Sequence, residues 1–457
     1  MTSKTAKNNQ DDLSRRVEAF RTVFPEFVIK DASGALRLDV ERLKETFPIS
    51  EKSEFIWPGK QKAVLESRLE TAKKLRPWRE ESRDWDKTRN AYIEGDNLDF
   101  LKIARADLAG KVDLIYIDPP YNTGSETFVY RDDFSNSKQD VSSNWASMFY
   151  SRLLLARDFL KDSGAIFVSI DDHEYANAVK ILDEAFGREN YVATIVWEMK
   201  REAKGIPPKS MCVSNHEYIL CYSKNGSYRF IGDFRDVEDG FSNPDFDPRG
   251  PWKRQYLQRF GQGFREKTIV DPVTGRAYTF ETPYTQEKLN RWVAEGRVIF
   301  PTPPYKYPAR KEFFCEYANP YKPIVTSWGL FSTKVGSEKL KSLFDGKKVF
   351  DYSKPIDLLT TLLRRALRSD GLVMDFFAGS GTLGHAVMAL NAEDGGSRQF
   401  ILAQTPEPCG KKSVAYKLGY RDISAICRER LRRAGDLLLT EAADQNLDVG
   451  FRAYRIE

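Results

Sequence analysis

The stretch Val112-Asp113-Leu114-Ile115-Tyr116-Ile117-Asp118-Pro119-Pro120-Tyr121 joins an apolar run to an abrupt polar end. Such a run, bounded by turn residues, predicts a buried strand. In open α/β sheets ligands sit at the carboxyl ends of strands, which puts Asp118 at the mouth of a site. Pro119 and Pro120 have fixed φ and no N–H, so the backbone there can present a carbonyl in a set direction. A carboxylate and a rigid carbonyl can accept hydrogen bonds from one amino group, and Tyr121 offers a flat face beside them. The set suits a planar, amino-bearing ring, such as an adenine or cytosine turned out of a helix. A plain strand ending in a tight turn would use the same residues, so a second motif has to decide.

That motif lies far along the chain. Leu372-Val373-Met374-Asp375-Phe376 predicts a strand, and Ala378-Gly379-Ser380-Gly381-Thr382 a glycine turn opening a helix over Leu383–Leu390. Gly379, Gly381 and Gly384 spell GxGxxG, and Glu407 follows by about 20 residues, the spacing of a ribose-binding acid. The pattern fits a ligand with an adenosine end, either a dinucleotide or S-adenosylmethionine. There is no Gly-Lys-Ser/Thr, which argues against a Walker-type phosphate loop.

The elements that must position these motifs follow from periodicity. Residues 1–90 are charge-rich, with helical spacing over Leu36–Phe47 and Gln61–Leu75, and predict a helical segment for packing or dimerisation. From residue 91 to 222, strands at Ala91–Glu94, Val112–Ile117, Ala165–Ile170, Val192–Trp197 and Glu217–Tyr222 alternate with helices such as Trp145–Leu160 and Tyr175–Phe186. Alternation of this kind implies a mostly parallel sheet covered on both faces. Over 223–348 the pattern breaks into prolines, glycines and aromatics, with a short helix near Thr285–Glu295. Lys253, Arg254 and Arg259 stand there among Trp252, Tyr256 and Phe260. An irregular insertion with a small aromatic core and a lobe whose basic side chains meet DNA phosphates both fit that composition. Its place between two halves of an α/β domain favours the lobe, although pairing with acids such as Asp245 or Glu266 would silence single changes. The α/β pattern resumes over 349–457, with helices at Pro355–Leu367 and Ile423–Leu439.

Bulk composition sets the outer limits. Net charge is +5, a mild bias that permits a polyanionic partner. Five scattered cysteines without CxxC spacing and only three histidines make a structural zinc site improbable, so no metal is expected. Thiols without a framework suit a reducing cytoplasm. The polar stretch Thr2–Arg16 predicts no signal peptide, and no apolar run is long enough to span a membrane.

Taken together, Asp118-Pro119-Pro120-Tyr121 and Asp375-Phe376-Phe377-Ala378-Gly379-Ser380-Gly381-Thr382 resemble the two signature motifs of the amino-group DNA methyltransferases. The catalytic motif precedes the glycine motif, as in the permuted β class. Tyr352-Ser353-Lys354-Pro355 resembles the Lys-Pro motif bordering the cofactor, and Tyr92-Ile93-Glu94-Gly95-Asp96-Asn97-Leu98 the Gly-Asp-Asn turn ahead of the catalytic strand. With Phe55-Ile56-Trp57-Pro58-Gly59-Lys60, Ser169-Ile170-Asp171-Asp172 and Leu418-Gly419-Tyr420-Arg421-Asp422-Ile423, the chain looks like the modification subunits of type III restriction–modification systems.

The resemblance implies a circularly permuted class I methyltransferase fold, Rossmann-like and mostly parallel. It would carry a helical segment (1–90), a catalytic half (91–222), a target-recognition insertion (223–348) and a cofactor-binding half (349–457). It implies S-adenosylmethionine held by Asp96, Lys354, Pro355, Asp375 to Thr382 and Glu407, with Glu407 on the ribose and Asp96 near the adenine. The expected activity is methylation of adenine N6 in double-stranded DNA by a homodimer, with a helicase–nuclease restriction subunit as a further partner. In the family a Ser at the Asp118 position is common among cytosine enzymes, so Asp118 favours adenine. The alternatives are cytosine-N4 methylation, a non-catalytic DNA-binding subunit, and a nicotinamide oxidoreductase, which would leave Asp-Pro-Pro-Tyr unexplained.

Overall fold

The structure is a computed structural model that describes residues 54–123, 141–201, 211–236, 240–302, 305–317, 319–441 and 446–457, and before them 17–18, 20–21, 24–30, 34 and 36–46. The chain forms two compact units, Met1–Ile56 and Trp57–Glu457. In the first, Val28–Lys30 and Leu36–Leu38 pair antiparallel and a helix follows over Val40–Thr46. The helix expected from Leu36 thus begins later. Leu36 and Leu38 alternate with Arg37 at strand period, and the Asp39 carboxylate accepts the Arg42 N–H, which starts the helix.

The second unit is built on a ten-stranded sheet. Its strands are β1 Leu75–Pro77, β2 Ala91–Glu94, β3 Val112–Ile117, β4 Leu160–Ile170, β5 Tyr191–Glu198, β6 His216–Ser223, β7 Ser327–Leu330, β8 Leu372–Asp375, β9 Gln399–Gln404 and β10 Arg452–Ile456. Across the sheet they run β7-β5-β6-β4-β3-β8-β9-β2-β10-β1. β6 is antiparallel to both neighbours and β1 to β10, and the other pairings are parallel. This is the expected Rossmann-like sheet in permuted chain order, because β8, from the last part of the chain, slots beside β3. The helix expected over Gln61–Leu75 ends at Arg68, and Leu75–Pro77 leaves it to pair with β10. Pro77 has no N–H for a helix and suits this edge position.

Two groups of helices pack among themselves. One comprises α1 Lys60–Arg68, α2 Asn97–Leu108, α3 Val141–Phe159 and α4 Tyr175–Phe186; the other α5 Thr333–Leu343, α6 Ile356–Ala366, α7 Thr382–Asp394 and α8 Ile423–Glu441. The main core joins Leu359, Leu363, Val387 and Leu431 of the second group to Leu114, Tyr116, Phe167, Val373 and Leu402 of the sheet. Ile115, Ile117, Ile166 and Val168 are equally buried and, by strand alternation, point to the opposite face. Both faces are therefore covered, which leaves the carboxyl edge of the parallel strands as the open rim.

Residues between β6 and β7 fold into small separate sheets. Trp252–Tyr256, Ala309–Phe313 and Val298–Ile299 form one, Arg265–Val270 and Ala277–Thr282 a hairpin, and Asp233–Phe234 with Tyr321–Lys322 a short pair. Leu257, Ile269, Phe280, Leu289 and Trp292 give this region a core of its own.

Candidate active site

β3 ends at Ile117, and the following residues turn out of the sheet under several restraints. The Trp145 indole on α3 donates to the Pro120 carbonyl at 2.7 Å. Asn122 adopts a left-handed conformation with φ +59. Its amide donates to the buried Glu174 carboxylate at 2.7 Å, which also accepts from the Ser142 hydroxyl at 2.9 Å. Two prolines and these anchors leave the backbone at Asp118 little freedom.

Asp118 meets Lys354, Glu217 and Tyr121. Lys354 Nζ lies 3.1 Å from Asp118 Oδ1 and 3.0 Å from Glu217 Oε2, and donates to the Tyr121 hydroxyl at 2.6 Å. The Tyr121 hydroxyl in turn donates to Glu217 at 3.1 Å. β6 is antiparallel, so its first residues come to the same edge as the last residues of β3, and this brings Glu217 to the site. Burial alone would lower the Lys354 ammonium, but Asp118 and Glu217 outweigh it and hold it above the usual lysine range. Burial pushes the Glu217 carboxyl up, against the pull of Lys354. Burial and the two carboxylates push Tyr121 well up, so it remains a phenol and a donor.

A cleft of about 450 Å³ opens beside this group, of the size that holds a nucleoside-like ligand. Asp118 and Pro120 line it, as do Asp96, Lys354, Asp375, Phe376, Phe377, Ala378, Gly379, Ser380, Thr382 and Glu407. Pro119, Tyr121, Pro355 and Gly381, expected at the site, are not among the residues that line this cleft. Pro355 is the N-cap of α6, and an added Cβ on Gly336 would come within 3.0 Å of its backbone. Asp375 is buried, accepts the Phe377 N–H at 2.8 Å, and is pushed well up by burial.

The glycines divide their work differently from the expected pattern. Gly379 has φ +52, and a Cβ built on it would meet nothing closer than 3.9 Å, so it opens on the cleft. Gly381 has φ +81, and its Cβ would stand 2.8 Å from Cys427 Sγ on α8. A Cβ on Gly384 would stand 2.6 Å from Leu431. Gly379 permits close approach of a ligand, whereas Gly381 and Gly384 permit close packing of α8.

Apart from Asn97, which belongs to the expected Gly-Asp-Asn turn, several groups at the site carry no local sequence signal. Asn97 donates to the Phe376 carbonyl at 2.9 Å and accepts from Arg152 Nε at 2.7 Å, and Arg152 also reaches Asp96 at 3.4 Å. Gln404 accepts the Gly379 N–H at 2.7 Å. Arg430, fully buried on α8, donates to the hydroxyls of Ser353, Ser380 and Thr382 at 3.0, 2.8 and 2.7 Å and so ties the Lys-Pro segment to the glycine turn. His385 on α7 is buried, and burial together with Arg430 lowers its imidazole to about 3.

Of the three basic residues singled out in the insertion, Arg254 and Arg259 are exposed. Lys253 is half-buried, paired across the sheet with Glu312 at 3.5 Å and set over the Phe241 and Tyr317 rings. Asp245 is engaged by Lys311 and the Trp252 indole rather than by these residues.

A mostly parallel α/β fold with an Asp-Pro-Pro-Tyr strand end and a glycine turn on one cleft defines a nucleotide-handling class of transferase. The chain belongs to the DNA methylase family, whose model matches residues 112–407. It is 36% identical over 406 residues to the Mod subunit of the type III restriction–modification enzyme StyLTI of Salmonella typhimurium, covering 80% of this chain and 60% of that protein. It is 30% identical to the EcoPI Mod subunit of Escherichia phage P1, covering 96% and 77% of the two chains. The type II methyltransferase M.KpnI of Klebsiella pneumoniae is 31% identical, over 77% of this chain and 89% of its own. The chain thus spans 60% of the length of the Salmonella relative.

Proposed function

We propose that this chain methylates the N6 amino group of adenine in double-stranded DNA, with S-adenosylmethionine as donor, as the modification component of a restriction–modification system. The observation that carries the reading is the meeting of Asp118 with the Gly379 turn on one cleft, from segments far apart in the chain. The lining fits the donor. Gly379 leaves room for a ligand against the backbone, Asp96 and Glu407 offer carboxylates for an adenine amine and ribose hydroxyls, and Phe376 and Phe377 supply apolar surface. When bound, S-adenosylmethionine supplies an electrophilic methyl on a positively charged sulfur.

An exocyclic amino nitrogen is a poor nucleophile because its lone pair is delocalised into the ring. Hydrogen bonds from that amine to Asp118 and to the Pro119 carbonyl favour a tetrahedral nitrogen, and the Asp118 carboxylate takes the proton the amine loses. Tyr121 supplies the stacking face, which offsets part of the few kcal/mol needed to extrude a base. Positioning carries much of the rate. Asp118 favours adenine over cytosine, and the Mod names of the relatives are consistent with that choice.

Within residues 223–348, the small sheets between β6 and β7 serve as the target-recognition lobe in this reading, with Arg254 and Arg259 on phosphates, while β7 and α5 belong to the methyltransferase core. In this reading the chain acts as a homodimer that joins a restriction subunit, the latter in keeping with the Mod-subunit names of its relatives, and free cysteines fit a cytoplasmic setting. Among the described residues, no helix is long and apolar enough to cross a membrane. The test is methylation-sensitive sequencing of DNA from cells expressing this chain alone. N6-methyladenine at one short recurrent sequence is expected; N4-methylcytosine would move the assignment to the alternative amine, and unmodified DNA would count against the activity.

A further inference from the structure

The acids and cations around Asp118 are unequal in number. Two carboxylates, Asp118 and Glu217, share Lys354 at 3.1 and 3.0 Å. The cluster thus holds one carboxylate more than it has cations. A target amine has to take Asp118 as its hydrogen-bond acceptor, so Lys354 must yield part of its hold there. Without a second anion, an ammonium as enclosed as Lys354 would gain more from staying on Asp118 than from releasing it.

Glu217 is placed to solve this. Its residue is only 8% exposed, its Oε2 accepts from both Lys354 and the Tyr121 hydroxyl, and it belongs to a sheet strand rather than to a loop. We propose that Glu217 is a positioning residue: it retains Lys354 and Tyr121 through the reaction, so that Asp118 is free for the amino group of the target base. The inference rests on the methyltransferase reading above and assigns a role to a residue that touches neither donor nor base. Lys354 then has a counter-charge whether Asp118 is ionised or has accepted the proton from the amine. The Tyr121 ring keeps its orientation because both partners of its hydroxyl stay in place.

The test compares wild type, Glu217→Gln, Glu217→Asp and the double variant Glu217→Gln/Lys354→Met, using full-length protein, duplex DNA and labelled S-adenosylmethionine. Glu217→Gln keeps the shape but not the charge, and Lys354 then settles on Asp118. Its kcat is expected to fall about 10–100-fold, with the calorimetric Kd for S-adenosylmethionine within about twofold of wild type. Removing the stranded ammonium as well should restore activity, so the double variant is expected to turn over about tenfold faster than Glu217→Gln. A residue that only supports the fold would show the opposite, with the double variant worse than the single. Glu217→Asp retains the charge on a shorter arm and is expected to lie between wild type and Glu217→Gln; it carries the kcat comparison if Glu217→Gln melts early. An unchanged kcat in Glu217→Gln, or a double variant no faster than the single, overturns the inference while wild-type transfer leaves the methyltransferase reading standing. No transfer by wild type in the same assay overturns both.

Discussion

Gly381→Ala should destabilise the protein by closing a gap that α8 needs. Two effects add. A non-glycine residue held at φ +81 is strained by about 1 kcal/mol, and a Cβ 2.8 Å from Cys427 Sγ has to displace a buried helix. Overpacking of that kind costs about 1–3 kcal/mol, so the total is about 2–4 kcal/mol. Gly379→Ala has the strain at φ +52 without the collision, since its Cβ meets nothing within 3.9 Å, and the loss should stop at about 1 kcal/mol. Urea unfolding of the ligand-free proteins measures both. The collision is isolated by repeating Gly381→Ala in a Cys427→Ala background, where its added cost should drop to the strain alone, about 1 kcal/mol. An equal cost of Gly381→Ala with and without the Cys427 sulfur would refute the packing argument. Titration with S-adenosylmethionine should show the reverse order, with Gly379→Ala weakening binding more than Gly381→Ala.

Three further outcomes are expected. Asp118→Ala should lower methyl transfer by about 10²–10³-fold, the scale for losing one preorganised hydrogen-bonding group, with donor affinity by calorimetry largely kept. The double variant Arg254→Ala/Arg259→Ala should flatten the slope of log DNA affinity against log salt by about 2, while Lys253→Ala, already paired with Glu312, should change it less. His385 gives the protein an acid sensitivity. Its folded value of about 3 lies below the roughly 6.5 of an unfolded histidine, so its stability contribution is complete above pH ~6.5 and is lost as pH falls towards 3. Between pH ~6.5 and ~5 that amounts to about 1.5–2 kcal/mol, and denaturation curves of His385→Asn should be flatter across that window by this amount.

The parts of the site that were legible from sequence are those in which neighbours along the chain carry the signal. An apolar run followed at once by Asp118-Pro119-Pro120-Tyr121, or by the glycine turn after Asp375, marks a strand and its functional end together. Tyr175–Phe186 was expected within the bounds at which the helix occurs, because its apolar period is regular and Gly187 stops it. Glu217 was not legible, since an acid near the start of an apolar strand acquires meaning only when antiparallel β6 delivers it to the end of β3. Arg430 looked like one charge among many on a helix, yet it is fully buried under three hydroxyls from two other segments. The separate tasks of Gly379 and Gly381 depend on where α8 lies, which the GxGxxG spacing does not encode. Leu75–Pro77 read as the tail of a helix because its strand partner, β10, comes from the end of the chain.

Asp118, beside the Gly379 cleft, is expected to accept an adenine amino group for methylation. The most direct measurement is mass spectrometry of nucleosides from duplex DNA incubated with methyl-labelled S-adenosylmethionine and either wild-type protein or Asp118→Ala. Wild type is expected to place label in N6-methyldeoxyadenosine, and Asp118→Ala about 10²–10³-fold less. Label in another nucleoside, or equal label from the two proteins, would contradict this.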